Sequence, residues 1–193
     1  NRKFGLHNVA GLLLYNQSKY HSPSLSYLIP NGYQGLVGRI TYDYANRYMM
    51  DLNFGYNGTE NFAEGKRFGF FPAISLGWAA SEESFFPKND FLTFLKLRAS
   101  YGEVGNDRVG GARFLYRPSS WVYVNNDYNF GMGADVQGHR GAKEAALGNP
   151  DLTWERAKKT NIGVDAAFLQ DRIKVTIDYF TEKRDNILTT FNT

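Results

Sequence analysis

Residues that could support catalysis or hold a metal ion are scattered in this chain of 193 residues. The three histidines, His7, His21 and His139, have no other metal-binding residues beside them. No serine lies in a sequence pattern that indicates a nucleophile with its general base. The four acidic residues between positions 103 and 135 lack the spacing of an EF-hand calcium loop. These residues are Glu103, Asp107, Asp127 and Asp135. The sequence therefore predicts no catalytic residues, no metal site, no cofactor and no enzymatic activity.

Three further kinds of site are disfavoured by motif and composition. Segment 101–107 contains two glycines, but it lacks the spacing and the following helix of a phosphate-binding loop. Gly102 and Gly105 are interpreted instead as turn residues. The chain has no cysteine, which excludes disulfides and thiolate metal sites. Its net charge is only +3 and its basic residues are dispersed, so no binding of nucleic acid is predicted.

Aromatic residues in the long polar region 103–153 are the candidates for ligand binding. A flat ring offers apolar area to a sugar at low entropic cost, so stacking on a saccharide is one interpretation. The other is that the rings pack against their own loop, and the sequence leaves both open. The four candidates are Tyr116, Trp121, Tyr123 and Tyr128.

A hydrophobic period of two predicts the strands that position these residues. Seven strands are expected, and several have the length of about 9–11 residues that a tilted membrane crossing needs. They span residues 4–15, 36–45, 48–56, 70–80, 94–102, 154–169 and 172–182. The fold class is therefore all-β.

Alternation within the strands gives the predicted sheet one polar and one apolar face. The polar face is expected to line a wet lumen. Its predicted residues are Arg39, Asp43, Asp51, Asn53, Lys96, Arg98, Asn161, Asp165, Lys174 and Asp178. The apolar face is expected to contact lipid, with aromatic rings at the membrane interfaces. The predicted interface aromatics are Tyr42, Tyr44, Tyr48, Phe70 and Trp78. The same alternation also fits a soluble β-sandwich whose core is the apolar face.

Connections between the predicted strands alternate between long and short, as in outer-membrane barrels. The long ones are 16–35, 57–69 and 103–153, and the short ones include the turns at 45–47 and 170–171. Segment 81–90 is expected to begin with a short helical turn at 81–84. The region 103–153 is expected to contain a hairpin that pairs 112–117 with 121–125.

Several linked motifs resemble the C-terminal part of the barrel of SusC/RagA-type TonB-dependent transporters. They cover about residues 39 to 188 in the order and spacing of that family. The motifs are RFGFFPAISLGW at 67–78, EESFF at 82–86, LKLRASYGEVGND at 95–107, LGNPDLTWE at 147–155, TNIGVD at 160–165 and VTIDYF at 175–180.

The resemblance implies a 22-stranded antiparallel transmembrane β-barrel in the outer membrane of a Gram-negative, Bacteroidetes-type bacterium. It implies import of large nutrients, oligosaccharides or peptides, energised by TonB and assisted by a SusD-like surface lipoprotein. The polar face would then contact a plug within the barrel, and the apolar face would contact outer-membrane lipid. The short turns would face the periplasm, and 103–153 would be an extracellular excursion.

The chain departs from the family pattern in extent. Residues 1–193 are interpreted as part of a TonB-dependent receptor barrel domain that lacks the plug, the TonB-contacting segment and most strands. We therefore expect a fragment of a longer protein. The alternative is a soluble, secreted β-sandwich that binds glycans through exposed aromatics.

Overall fold

A single long antiparallel sheet dominates the computed structural model, which describes residues 2–21, 30–87, 89–108, 113–117, 121–123, 128–131, 137–144 and 148–189. The sheet has eight strands in the order β1-β2-β3-β4-β5-β6-β11-β12. Its strands are β1 Arg2–Phe4, β2 His7–Tyr20, β3 Asn31–Tyr44, β4 Tyr48–Thr59, β5 Phe68–Ala79, β6 Leu92–Asn106, β11 Glu155–Phe168 and β12 Ile173–Asp185. All seven predicted strands are present, and most extend beyond their predicted ends toward the long connections; residues 4–6 of the first prediction instead belong to β1 and to the turn before β2.

Short turns join the strands at one end of this sheet, which we call the short-turn end. At residues 45–47 the Arg47 amide donates to the Tyr44 carbonyl over 2.8 Å, and Asn46 adopts a φ of 57°. Asparagine tolerates this left-handed conformation better than most residues. A second tight turn spans 169–172, so both predicted short turns are confirmed.

Helical structure in the described residues of the short-turn end is limited to one 3₁₀ turn at Ala80–Glu82. It begins one residue before the predicted helical turn and follows β5 directly. No helix in the described part of the chain has the length and apolar character needed to cross a membrane.

Four short strands lie within the connection between β6 and β11. They are β7 Trp121–Tyr123, β8 Tyr128–Phe130, β9 Gln137–His139 and β10 Ala142–Glu144. β7 pairs with β10, and β8 pairs with β9. The predicted hairpin between 112–117 and 121–125 is therefore wrong. Residues 113–117 form a turn, while 112, 118–120 and 124–125 lie outside the described residues.

The predicted turn roles of Gly102 and Gly105 are also wrong. Both glycines lie within β6, which stays paired with β11 as far as the Asn106–Glu155 pair. A Cβ atom on Gly105 would overlap the ring of Phe71, and one on Gly102 would lie 2.9 Å from the Cβ of Ala73. Their lack of a side chain serves close packing within the sheet.

Only a small core is buried in the described residues, and it lies at the end of the sheet opposite the short turns, which we call the long-loop end. Its members are Phe62, Phe71, Leu152 and Trp154, of which Phe62 is completely buried. Large apolar side chains elsewhere on the sheet remain exposed. Ile177 is 64% exposed and Leu13 is 69% exposed. A sheet with so much exposed apolar surface needs a further apolar environment.

Candidate functional site

The predicted polar-face residues lie on one side of the sheet, in a pattern fixed by the strand register. On β3 and β4, the Nε atom of Arg39 donates to both carboxylate oxygens of Asp51 over 3.1 and 3.0 Å. The side-chain amide of Asn53 donates to the same carboxylate over 3.0 Å. Asp43 accepts a hydrogen bond from Asn8 on β2 over 3.3 Å. These bonds hold four of the predicted side chains against the wall.

A second polar network crosses three strands through Arg98. Its Nε atom lies 3.0 Å from Asp165, and its terminal nitrogen lies 2.8 Å from Asp178. Arg98, Gly163 and Asp178 are successive partners in one cross-strand row, so the guanidinium spans the middle strand above a glycine. Thr176 donates to Asp165 over 3.0 Å. A charge-assisted arrangement of this kind orients the side chains more firmly than isolated surface pairs.

Three predicted polar-face residues remain without such bonds. Within the described part of the chain, Lys96, Asn161 and Lys174 form no hydrogen bond or ion pair through their side chains. Lys96 and Asn161 border a concavity of about 480 Å³ that also exposes Asp43 and Asp51. This surface can bind water or a polar partner, because the side chains of Lys96 and Asn161 have no hydrogen-bond partner among the described residues.

Interface aromatics predicted for the short-turn end form a row on the apolar face. Tyr48 pairs in register with Tyr44 on one side and with Trp78 on the other. The rings of Tyr44 and Tyr48 stack with centroids 6.3 Å apart. Tyr42 lies one row further in, and its hydroxyl is 2.9 Å from the ring nitrogen of His7. This row suits an amphipathic boundary, but lipid contact stays a prediction.

Phe70 lies at the other end of the apolar face. It pairs in register with Tyr56, and its ring centroid lies 6.1 Å from that of Phe54. Half of the Phe70 side chain is exposed. The five predicted interface aromatics therefore divide into two groups separated along the strands.

Glu83 is a residue of the short-turn end that the sequence interpretation missed. Tyr48 and Trp78 both donate to its carboxylate, and Arg47 lies 3.7 Å away. The hydrogen bonds from Tyr48 and Trp78, with the charge of Arg47, hold the pKa of the Glu83 carboxyl below its usual range. Glu83 lies five residues after Trp78, beyond the end of β5, but no local pattern in the sequence pairs it with Tyr48.

These contacts predict an acid-sensitive clamp at the short-turn end. The pKa of Glu83 is lower in the folded than in the unfolded protein, where it is ordinarily about 4.3. The charged carboxylate therefore stabilises the fold at pH values above the unfolded pKa, and this stabilisation is lost as the pH falls through the folded pKa. In the full-length protein, Glu83→Gln should lower the melting temperature at pH 7. The difference from the parent should shrink as the pH falls below about 4.

The control for this prediction is Glu82→Gln, one residue earlier. Glu82 is exposed and forms no ion pair within the described residues, so its replacement should leave the melting temperature close to that of the parent. A Glu83→Gln deficit that persists unchanged at pH 3 would contradict a role for the carboxylate charge.

The buried core at the long-loop end joins two connections to the barrel wall. Trp154 precedes β11 and packs against Phe62 and Phe71, with centroid distances of 5.6 and 5.2 Å. Its indole nitrogen donates to the Arg67 carbonyl over 3.1 Å, and Arg67 donates to the Phe62 carbonyl over 3.2 Å. The connections 60–67 and 107–154 are therefore fastened to each other at their base.

An ion pair outside the core reinforces this junction. The ammonium of Lys66 lies 2.6 Å from the carboxylate of Asp151, and its hydrogen bond and charge lower the pKa of that carboxyl. Asp151 is largely exposed, so solvent screens the pair. The core, rather than this bridge, is the main attachment.

The four loop aromatics predicted to bind ligand are not brought together by the described contacts. Tyr116 packs edge-on against Phe114, 6.2 Å away, and lies beneath the guanidinium of Arg117. Tyr123 is 76% exposed. Trp121 and Tyr128 have described backbones in β7 and β8, but their side chains lie outside the described residues. Tyr116 thus fits packing within the loop, and Tyr123 remains available to a ligand.

No group of three or more histidine or acidic residues that could hold a metal ion occurs in the described ranges. Of the candidate calcium residues, Glu103 bonds Arg156 over 3.0 Å and Asp107 accepts from Asn61 over 3.3 Å. Asp127 and Asp135 lie outside the described residues.

A wide antiparallel sheet with one apolar face, one ion-paired polar face and its longest connection at one end is typical of the wall of a membrane-spanning β-barrel. A family model described as TonB dependent receptor-like, beta-barrel, matches residues 14–193. The chain therefore belongs to the TonB-dependent receptor β-barrel family. Its members are outer-membrane proteins of Gram-negative bacteria and are not enzymes, which confirms the predicted location and class. This membership excludes the β-sandwich alternative.

Relatives of known type support the narrower SusC/RagA assignment. The chain is 36% identical over 153 residues to TonB-dependent receptor P39 of Formosa agariphila, which covers 79% of this chain and 14% of that protein. It is 32% identical over 163 residues to TonB-dependent receptor SusC of Bacteroides thetaiotaomicron, and this match covers 84% of this chain and 16% of that protein. The chain thus spans about a sixth or less of the length of these relatives.

Solved structures show the same fold at low identity. The structure of the RagAB peptide transporter matches with a TM-score of 0.73 at 18% identity, over 96% of this chain and 22% of that chain. The RagAB peptide importer in its closed-closed state matches with a TM-score of 0.74 at 17% identity, over 97% of this chain and 22% of that chain. The predicted fold class and family resemblance are confirmed.

Proposed function

We propose that this chain is part of the wall of an active importer of large nutrients, either oligosaccharides or peptides. The observation that carries the proposal is the two-faced sheet, with Arg39–Asp51 and Arg98–Asp178 pairs on its inner side and its longest connection, 107–154, at one end. A wet, mixed-charge wall suits passage of polar solutes beside a plug. The similarity to SusC, and the fold shared with a peptide importer, support the nutrient class.

The energy for this import would come from TonB, acting on a part of the protein outside this chain. A SusD-like surface lipoprotein would assist capture above the long-loop end. Region 103–153 would then be an extracellular excursion, and the polar-face residues would contact the plug or water rather than select the solute. Tyr123 is the best-supported candidate for direct contact, because its ring is exposed within that excursion.

Deletion of the full-length gene in its own bacterium tests this proposal. The deletion strain should lose growth and uptake on one nutrient class, a defined oligosaccharide mixture or a peptide mixture, and should keep growth on the corresponding monomers. Depletion of TonB should reproduce the defect. Uptake of every oligomer at the parental rate in the deletion strain would overturn the proposal.

Replacing Tyr123 with alanine in the full-length protein tests the loop site. Loss of one stacking ring, at about 0.5–1.5 kcal/mol, should weaken binding of the imported oligomer by roughly 2- to 12-fold. Isothermal titration on purified protein measures this change. Tyr179→Ala is the matched control, because Tyr179 is 68% exposed on the apolar face of the wall and should leave affinity unchanged. Equal affinity of the parent and Tyr123→Ala would contradict the assignment.

A further inference from the structure

Two lysines face each other on the apolar side of the wall, where lipid contact is expected. Lys158 on β11 and Lys183 on β12 are directly opposite Cα partners. They lie on the same side as Ile162, Val164, Ile177 and Tyr179, because positions two residues apart in a strand share a face. Like charges directly opposite each other destabilise a sheet unless another group compensates for them.

Local carboxylates compensate for only one of these ammonium groups. Asp185 accepts from Lys158 over 2.8 Å. Glu103, the partner of Lys158 on β6, accepts from Arg156 over 3.0 Å and from Tyr101 over 3.0 Å. Within the described residues, Lys183 forms no ion pair, although it lies close enough to Asp185 to affect that carboxylate electrostatically. Among the described residues, this cluster therefore has three cations and two anions, with its excess charge at Lys183.

The height of this cluster on the wall indicates which anion would meet it. The apolar row begins near the short-turn end at Ile173 and continues to Thr181, roughly 27 Å along the strand at about 3.4 Å per residue. At a strand tilt of about 40° this corresponds to roughly 20 Å across the membrane, close to the height of the lipid-facing band of such barrels. Lys158 and Lys183 are the next outward pair, just beyond the ring of Tyr101, at the level of headgroups.

We propose that Lys158 and Lys183 together bind the phosphate group of a phosphorylated glycolipid in the outer leaflet of the outer membrane. The long-loop end of a barrel faces outward, so the lipid present at this height is the outer-leaflet one. Two ammonium groups on neighbouring strands can donate to separate oxygens of one phosphate, and the exposed apolar row beneath them packs along acyl chains. Charge complementarity and the position at the band edge carry this assignment.

Binding of phosphorylated lipid A to the full-length protein in detergent, followed by native mass spectrometry, tests the proposal. Each lysine near an anionic headgroup should contribute about fivefold in occupancy. Lys183→Gln should therefore lose about fivefold, and Lys158→Gln with Lys183→Gln should lose more than tenfold. Lys174→Gln is the matched control on the same strand, because its side chain belongs to the polar face and should change occupancy less than twofold.

Further arms distinguish a specific headgroup site from general adhesion. Dephosphorylated lipid A should bind the parent as weakly as phosphorylated lipid A binds the double variant. The double variant with Lys158→Arg and Lys183→Arg should retain binding, because it keeps both positive charges. It tests the proposal even where the glutamine variants fold poorly. Parental occupancy in the double glutamine variant, equal binding of dephosphorylated lipid, or displacement of the lipid by millimolar inorganic phosphate would each overturn the proposal. Nutrient uptake is measured separately, so failure here leaves the transport proposal intact.

Discussion

Replacing Trp154 with alanine is expected to destabilise the long-loop end of the barrel by about 3–5 kcal/mol, the usual cost of removing a buried Trp side chain. Trp154 is only 3% exposed and contacts the rings of both Phe62 and Phe71. Its loss leaves a cavity that these two side chains cannot fill. Limited proteolysis of the full-length protein in detergent should show faster cleavage within 60–67 and 107–154, while the strands stay protected.

Trp154→Phe separates packing from hydrogen bonding in this prediction. Phenylalanine keeps an aromatic ring in the core but loses the indole donor to the Arg67 carbonyl. We expect a cost of about 1–3 kcal/mol, because the carbonyl then loses a buried partner. Trp78→Ala at the short-turn end is the positional control, and it should leave cleavage of the long connections unchanged. Unaltered cleavage in Trp154→Ala would show that the core does not fasten the connections.

The core has a functional consequence because it joins two connections that flank the same opening. Phe62 belongs to connection 60–67, whereas Leu152 and Trp154 belong to the end of the longest connection. The packing of Phe62 on Trp154 therefore links the bases of the two connections. In the proposed import function, ligand capture would act on two linked connections.

The strands and their faces could be predicted from the sequence because their signal is local. Alternation over a few residues fixes which side chains share a face, as with Arg39, Asp51 and Asn53 on the polar side. The strand ends were less well predicted. β6 continues through Gly102 and Gly105 because its partner β11 extends that far, and glycine leaves room for neighbouring side chains.

The core, the loop pairing and the contact between Tyr48 and Glu83 could not be predicted because they join residues distant in the sequence. Trp154 meets Phe62 and Phe71 only once β5 and β11 occupy their places in the sheet. β7 pairs with β10 across a long intervening segment, whereas local spacing favoured a tight hairpin. The motif at 147–155 indicates the family, but its spacing does not predict that Trp154 belongs to a buried core.

Replacing Gly163 with valine is expected to break the polar network of the inner wall. A Cβ atom at this position would lie 2.7 Å from Asp178 and 2.8 Å from the guanidinium carbon of Arg98, so the side chains must separate. Because the displaced atoms are the ends of flexible, partly exposed side chains, the expected cost is that of the broken ion pair, about 0.2–1 kcal/mol. We expect a lower midpoint of denaturant unfolding for the full-length barrel, because the ion pairs of Arg98 with Asp165 and Asp178 join β6, β11 and β12.

A double-mutant cycle with Arg98→Ala tests whether the glycine is needed because the arginine crosses above it. Arg98→Ala removes the guanidinium that valine would displace, so the steric part of the Gly163→Val cost should disappear in the double variant. The two changes should then be less than additive, as contacting residues in one network usually are. Gly11→Val provides the control, because a Cβ atom on Gly11 meets nothing within 4 Å and valine suits a strand better than glycine. Strictly additive changes in unfolding free energy for Gly163→Val and Arg98→Ala would contradict the prediction. They would mean that the crossing guanidinium is not the reason why this position needs a glycine.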